Sequence, residues 1–410
     1  MVTAPAALAL TDATMAPSDR RAYRLSSIDV LRGLVIVIMA LDHVRDFTMA
    51  GTEIDPMTNP NIGVGLFFTR WITHFCAPVF VFLAGTSAGL MTARKSGQGL
   101  ARFLASRGVW LIIVEIFVVS NLTTFSPRGI AEFSGHTLAI MQVIWAIGAG
   151  MLVLAALQYL GRGVCLVLGV AIIAGHNLLD PVWPAGALLE PRPLWVAAHA
   201  QMSYFAGPFQ FGFVYPVLPW IGVMLAGFGS SGVFELTPAN RNAMLLRLGG
   251  ALTAAFIVLR AAGLYGEPNT WQLQPGGMIA TVIDFLNTTK YPPSLVFLLM
   301  TLGPAAVFCA FVDRWSGPVK GALVTFGRVP FAFYVAHIFV IHATAILLGV
   351  AQGFNAPQFL TMFLFFPKGY GVGLPGVYAF WAIVIAVMYP FCRWVASVKE
   401  RRRDWWLSYV

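Results

Sequence analysis

Charge is scarce in this chain. Only 10% of its residues are Asp, Glu, Lys or Arg, 58% are hydrophobic, and mean hydropathy is +0.76. Soluble domains carry roughly 25% charged residues, so this scarcity excludes a soluble globular protein and indicates a polytopic membrane protein. Acidic groups are the rarer sign, 17 against 26 Lys and Arg. The net charge of +9 and pI of about 9.6 would suit a nucleic-acid partner. The cations instead cluster beside apolar spans, as membrane topology requires, so no nucleic acid is expected. Cysteine is limited to Cys76, Cys165, Cys309 and Cys392, each isolated in an apolar segment. That excludes a disulfide framework and leaves them as small packing residues. No His/Cys/Glu set recurs at ligand spacing, so no metal is expected. The first 20 residues lack a basic n-region and do not read as a signal peptide. No internal repeat is visible, which disfavours the repeat-built transporter folds.

Long apolar runs are abundant. A run of about 18 or more apolar residues is long enough to cross a bilayer as a helix. About ten such spans are expected, near 29–48, 71–92, 108–125, 138–160, 162–179, 210–229, 243–262, 294–313, 327–350 and 375–396. Only Gly161-Arg162-Gly163 joins the fourth to the fifth, which predicts a tight helical hairpin. The apolar stretch from Phe359 to Phe366 is too short to span and is expected to be re-entrant or interfacial. With the N-terminus inside, most Arg and Lys fall on the cytoplasmic side, which fits an even number of spans. Gly85 and Gly89 form a small-xxx-small face suited to close helix packing. The expected fold is an all-α, polytopic transmembrane helical bundle with both termini cytoplasmic. Residues 1–25 would be a disordered cytoplasmic tail and 26–398 the membrane domain. Residues 399–410, ending in Trp405-Trp406-Leu407-Ser408-Tyr409, would be a basic and aromatic interfacial tail.

The polar residues inside these spans point to function. Arg32 and His43 are eleven residues apart in the first span. At about 100° per residue they return to nearly one face, roughly 16 Å apart along the axis. Asp29 lies close to that stripe and three residues from Arg32, so the two can pair. Ionisable groups in a bilayer are costly and mark functional sites by default. A buried Asp–Arg pair that only locks helix packing would leave His43 unexplained. The topology gathers further polar groups in the outer half: Asp42 beside His43, His74 at the start of the second span, Lys290 and Tyr291 before the eighth, and His337 and His342 in the ninth. Arg32 lies deeper, toward the cytoplasm, which suggests a polar path from the inner face to a reaction centre near the outer one. Each residue also has a plainer reading. The histidines can bond to backbone, His337 and His342 share no helix face, and Lys290 can snorkel to the surface. Glu115 stands alone in the third span. His136, His176 and His199 fall in or near outer loops.

The segment Ser27-Ile28-Asp29-Val30-Leu31-Arg32-Gly33, followed by His43, resembles the first helix of the transmembrane acyltransferase superfamily. That group includes the acyltransferase-3 sugar O-acetylases and the heparan-α-glucosaminide N-acetyltransferase-like proteins. Further blocks are similar to the bacterial heparan-α-glucosaminide N-acetyltransferase-like branch: Arg70 to Pro78 with Phe80 to Gly85, Pro216 to Gly222, Asn287 to Ser294, and Phe326 to Pro330 through His337. The resemblance implies transfer of an acyl, typically acetyl, group from cytoplasmic acyl-CoA to a glycan or other small acceptor at the outer face. By that analogy Arg32 lines the donor path and His43 is catalytic. His74 and Asp42 would assist His43, and Asp29, Lys290, Tyr291, His337 and His342 would bind substrate. A histidine can take a proton from a hydroxyl or amine, and an arginine is a permanent cation suited to an anion or a polarised carbonyl. Arg94, Lys95, Arg102 and Arg107 are candidates to meet the nucleotide phosphates. The animal lysosomal enzyme of the group has its catalytic histidine in the loop after the first span. Here that loop, Arg45 to Arg70, contains none, so glucosamine N-acetylation does not follow automatically. The expected setting is the inner plasma membrane, with the oligomeric state, a homo-oligomer included, left open. The competing class is a secondary transporter or exporter using the same polar residues as a relay.

Overall fold

The computed structural model describes residues 17–51, 57, 62–182, 192–402, 404 and 407. The chain opens with α1 (Pro17–Thr48), α2 (Val64–Thr73), α3 (Cys76–Met91) and α4 (Gly97–Val114). A π-turn over Glu115–Val119 joins α4 to α5 (Ser120–Thr124). Then follow β1 (Thr137–Met141), α6 (Val143–Leu157), α7 (Gly161–Gly175) and α8 (Pro193–His199). The hairpin of β2 (Met202–Ala206) and β3 (Phe209–Phe213) leads into α9 (Val217–Gly229) and α10 (Pro238–Ala262). The remainder holds α11 (Met278–Leu286), α12 (Leu295–Phe311), α13 (Pro318–Arg328), α14 (Pro330–Ala351) and α15 (Leu374–Arg401).

Eight stretches of the described chain are long and apolar enough to cross a membrane. One of them, Val143–Val182, contains both α6 and α7, broken at Gly161 where φ is 84°. α1 falls outside the eight because Asp29, Arg32 and Asp42 interrupt its apolar run. With α1 added and α6 separated from α7, the helices correspond to the ten expected spans. Their ends differ where polar residues hide the helix. α4 starts at Gly97, well before the apolar run, because Ser96 caps it by accepting from the Gly99 amide at 3.1 Å. α1 starts at Pro17, inside the stretch 1–25 expected to be a tail, while residues 1–16 lie outside the described part. α15 continues to Arg401, and Trp405 and Trp406 lie outside the described residues.

Two expectations need correction. α6 and α7 reverse direction at Gly161, but both pack on α9 rather than forming a tight hairpin on each other. Helix was also expected from 138 and 210, where the chain instead forms β1 and β3. These pair in parallel from Thr137↔Phe209 to Met141↔Phe213, and β2 runs antiparallel to β3. Their apolar residues continue directly into α6 and α9, so periodicity alone does not separate strand from helix.

Helix contacts are close where the side chain is missing. A Cβ on Gly33 would collide with the Leu323 carbonyl, and one on Gly327 with the Asp29 carbonyl, so α1 and α13 touch backbone to backbone. Gly85 meets the Met224 carbonyl and Gly227 the Phe82 carbonyl, which joins α3 to α9 through the expected small-residue face. The segment 356–366 does not span. Its Phe359 is fully buried against Gly349 of α14. All four cysteines are buried and free. Arg328 at the end of α13 pairs with Glu400 near the end of α15 at 2.8 Å, and Gly327 abuts Asp29. The start of α1 and the end of α15 therefore share one face, called here the basic face.

Candidate active site

α1 carries the site along one stripe. Near the basic face, Arg32 Nη1 donates to Asp29 Oδ1 and to the Gly327 carbonyl, each at 3.1 Å, and Nη2 donates to Ser87 Oγ at 3.0 Å. The pairing that the three-residue spacing predicts is therefore present, and it also binds α1 to α13 and α3. Arg32 lines a cavity of about 320 Å³ whose walls also carry Arg107, Arg328 and Lys399. The deeper wall is apolar and includes Met39, Phe80 and Val143.

Met39, Phe80 and Val143 also line a second cavity of about 410 Å³, so the two cavities abut. The second lies toward the other end of α1, the far side, and is lined by Asp42, His43, Arg45, Arg70, Tyr215, Lys290 and Tyr291. His43 lies one turn beyond Met39 on α1, placing its ring next to the shared neck. The His337 ring stands edge-on to it, centroids 5.2 Å apart. His337 is fully buried, and its Nδ1 lies 2.5 Å from the Tyr334 carbonyl and 3.1 Å from that of Phe333. Carbonyls only accept, so Nδ1 donates to them and only Nε2 is left to meet another group. That Nε2 has no hydrogen-bond partner among the described residues.

Asp42 pairs with Arg70 at 2.8 Å and with Arg45 at 3.0 Å, and Arg45 also meets Asp46 at 2.5 Å. The carboxylate expected to assist His43 therefore serves two guanidiniums and ties α1 to α2. Lys290 is buried at the cavity wall, its Nζ 5.1 Å from the centre of the Tyr291 ring. No carboxylate of the described residues pairs with it. Tyr291 packs at 5.3 Å against Tyr215, the two rings nearly perpendicular. Burial, reinforced by the Tyr291 hydroxyl, holds Tyr215 well above the usual tyrosine pKa, so it stays a neutral hydroxyl.

Four expected site residues, Asp29, His74, His337 and His342, line neither cavity; Asp29 pairs with Arg32 and His337 meets His43, whereas the other two make neither contact. His74 is buried against the Phe297 ring at 5.4 Å and lines neither. His342 directs Nδ1 to the Leu122 carbonyl at 2.9 Å and Nε2 to the Phe359 carbonyl at 2.8 Å, and stacks on Phe125 at 4.0 Å. It clasps α14 to α5 and to the 356–366 segment. Glu115 also finds a purpose. Its Oε2 accepts from the Trp145 amide at 2.9 Å, in the first turn of α6. Unpaired amides at a helix start favour an acceptor of negative character, so Glu115 anchors the helix that supplies Val143 to the neck. The π-turn that places it is a geometry frequent at functional sites. Tyr215, Arg45, Arg70 and Tyr334 were not singled out by sequence. Among the described residues no group of His, Cys, Asp and Glu is placed to hold a metal ion.

Comparison with known proteins adds an independent line. Residues 24–262 match the family model described as heparan-alpha-glucosaminide N-acetyltransferase, catalytic. No curated protein matches the chain. The matched region runs from α1 through α10 and contains Arg32 and His43, whereas Lys290, Tyr291, Tyr334 and His337 lie beyond it. An acetyltransferase family does not favour the transporter reading. The match covers more than half of the chain, and this all-α polytopic protein belongs to the heparan-α-glucosaminide N-acetyltransferase catalytic family.

Proposed function

We propose that the protein is an acetyltransferase of the inner plasma membrane that takes an acetyl group from acetyl-CoA at the basic, cytoplasmic face. It delivers that group to a hydroxyl or amine of a sugar-type acceptor in the far cavity. One observation carries this reading: two cavities lined from opposite ends of α1 share Met39, Phe80 and Val143, one lined by Arg32, Arg107, Arg328 and Lys399, the other by His43. Four cations around one opening suit the phosphates of CoA. The excess of Arg and Lys on that face supports its cytoplasmic orientation. The apolar neck suits the thioester end, which bears no charge.

In the far cavity His43 acts as general base. As the acceptor oxygen or nitrogen attacks the thioester carbonyl, its proton passes to His43. The C–S bond then breaks, and the departing CoA thiolate takes that proton, which restores neutral His43. His337 holds the His43 ring in place from the buried side. Lys290, with Tyr291 and Tyr215, forms the acceptor wall, and Asp42 keeps its role in fixing α1 against α2.

The test is acetyl-CoA binding to the purified full-length protein in detergent. Wild type binds, and the Arg32→Ala variant binds about tenfold to a hundredfold more weakly, the range for a lost charged hydrogen bond. Absence of binding by wild type would remove the reading.

A further inference from the structure

Tyr334 belongs to α14 and lies one turn before His337, the residue that meets His43. It is only 5% exposed, yet its hydroxyl has no hydrogen-bond partner among the described residues. A buried hydroxyl is costly to leave unpaired, and natural structures rarely do so without a reason. Its side chain lines the basic-face cavity. Its ring also neighbours that of His337, which in turn meets His43 in the far cavity. A residue with an unpartnered donor therefore belongs to the wall of the basic-face cavity and to the helix turn that meets His43. Its ring lies 5.6 Å from that of His337, and its own carbonyl accepts from His337 Nδ1 at 2.5 Å, so the same turn of helix presents both groups.

We propose that the Tyr334 hydroxyl is a catalytic hydrogen-bond donor to the thioester carbonyl oxygen of the acetyl donor. This rests on the acetyl-transfer reading above. When the acceptor attacks, the carbonyl π electrons move onto that oxygen. Tyr334 keeps its proton and donates a hydrogen bond to the oxyanion. The oxyanion collapses as the C–S bond breaks, the acetyl group leaves on the acceptor, and the CoA sulfur receives the proton that His43 had taken. Nothing is oxidised or reduced. The base and the oxyanion donor thus come from different helices, α1 and α14, and converge on one carbonyl.

The experiment compares wild type with Tyr334→Phe, which removes only the hydroxyl and keeps the ring. Carbonyl-labelled acetyl-CoA is bound to each full-length protein in detergent, and the infrared band of the bound carbonyl is read beside the binding isotherm. The expected result is binding within about twofold in both and a carbonyl band at lower frequency in wild type than in Tyr334→Phe. Turnover of acetyl-CoA should fall about 10²–10³-fold in the variant, the cost of one oxyanion donor. The same band position in both proteins would overturn the assignment. So would a variant that loses binding but keeps turnover at saturation, since the hydroxyl would then serve ground-state binding. Wild type that does not bind acetyl-CoA at all would instead remove the function proposed above, and this role with it.

Discussion

Arg32 is asked to do two things, and a pair of variants separates them. Its guanidinium bonds Asp29 on its own helix, the Gly327 carbonyl on α13 and Ser87 on α3, and Arg32 lines the basic-face cavity proposed to take the donor. Arg32→Ala removes all of these contacts and leaves Asp29 without its partner. Removing one member of a fully buried pair costs about 3–5 kcal/mol. Here the two side chains keep 18% and 17% exposure, and solvent screening reduces the expected loss to about 2 kcal/mol. Asp29→Asn combined with Arg32→Ala removes the orphaned charge and should recover much of the thermal stability. It should not recover donor affinity, because the cation proposed to meet the donor is still missing. Thermal unfolding and acetyl-CoA binding, measured on the single and double variants, read the two effects separately. The expected pattern is a lowered Tm in Arg32→Ala, a partly restored Tm in the double variant, and donor affinity reduced about tenfold to a hundredfold in both. Donor affinity that returns with stability in the double variant would refute a binding role and leave Arg32 as a packing clasp.

Other variants test the remaining parts. His43→Ala should reduce acetyl transfer about 10²–10⁴-fold, the usual contribution of a general base, with acetyl-CoA binding retained in an isotherm. His337→Ala should keep donor affinity and reduce turnover by up to about a hundredfold through misplacement of His43; unchanged turnover in steady-state assays would detach it from the site. Gly33→Val should lower Tm, since overpacking costs about 1–3 kcal/mol and the obstacle is the immovable Leu323 backbone; an unchanged melting curve would show that α13 yields freely. His74→Ala should leave transfer within severalfold of wild type, because its ring packs on Phe297 and lines neither cavity, and a loss as large as that of His43→Ala would return it to the catalytic set.

Much of the bundle is readable from the chain because bilayer spans demand long apolar runs, and this sequence supplies them with few interruptions. α1 is readable for the opposite reason. Its charges break the apolar run at Asp29, Arg32 and Asp42, and their spacing places Arg32 and His43 on one stripe. The sheet is not readable, because β1 and β3 are apolar and run straight into α6 and α9. α13 is hidden because Lys320, Thr325 and Arg328 dilute its hydropathy, although Gly327 touching Asp29 makes it the closest neighbour of α1 at that point. The histidines show the limit most clearly. His74, His337 and His342 all fall at plausible depth, but depth does not say which ring meets His43. That depends on how α14 rotates, which its nearly uniform apolar surface leaves unspecified. Tyr334 is invisible for the same reason: an aromatic in an apolar helix reads as packing until its hydroxyl is found without a partner.

On the proposed function an acetyl group crosses from the basic face to the far face. The most direct measurement uses proteoliposomes of known sidedness, with acetyl-labelled acetyl-CoA supplied only at the basic face and amino sugars and neutral sugars enclosed on the far side. Acetylated sugar should appear inside the vesicles with wild type and none above background with His43→Ala. Label that stays on the side of supply with wild type, or equal product from both proteins, would contradict it.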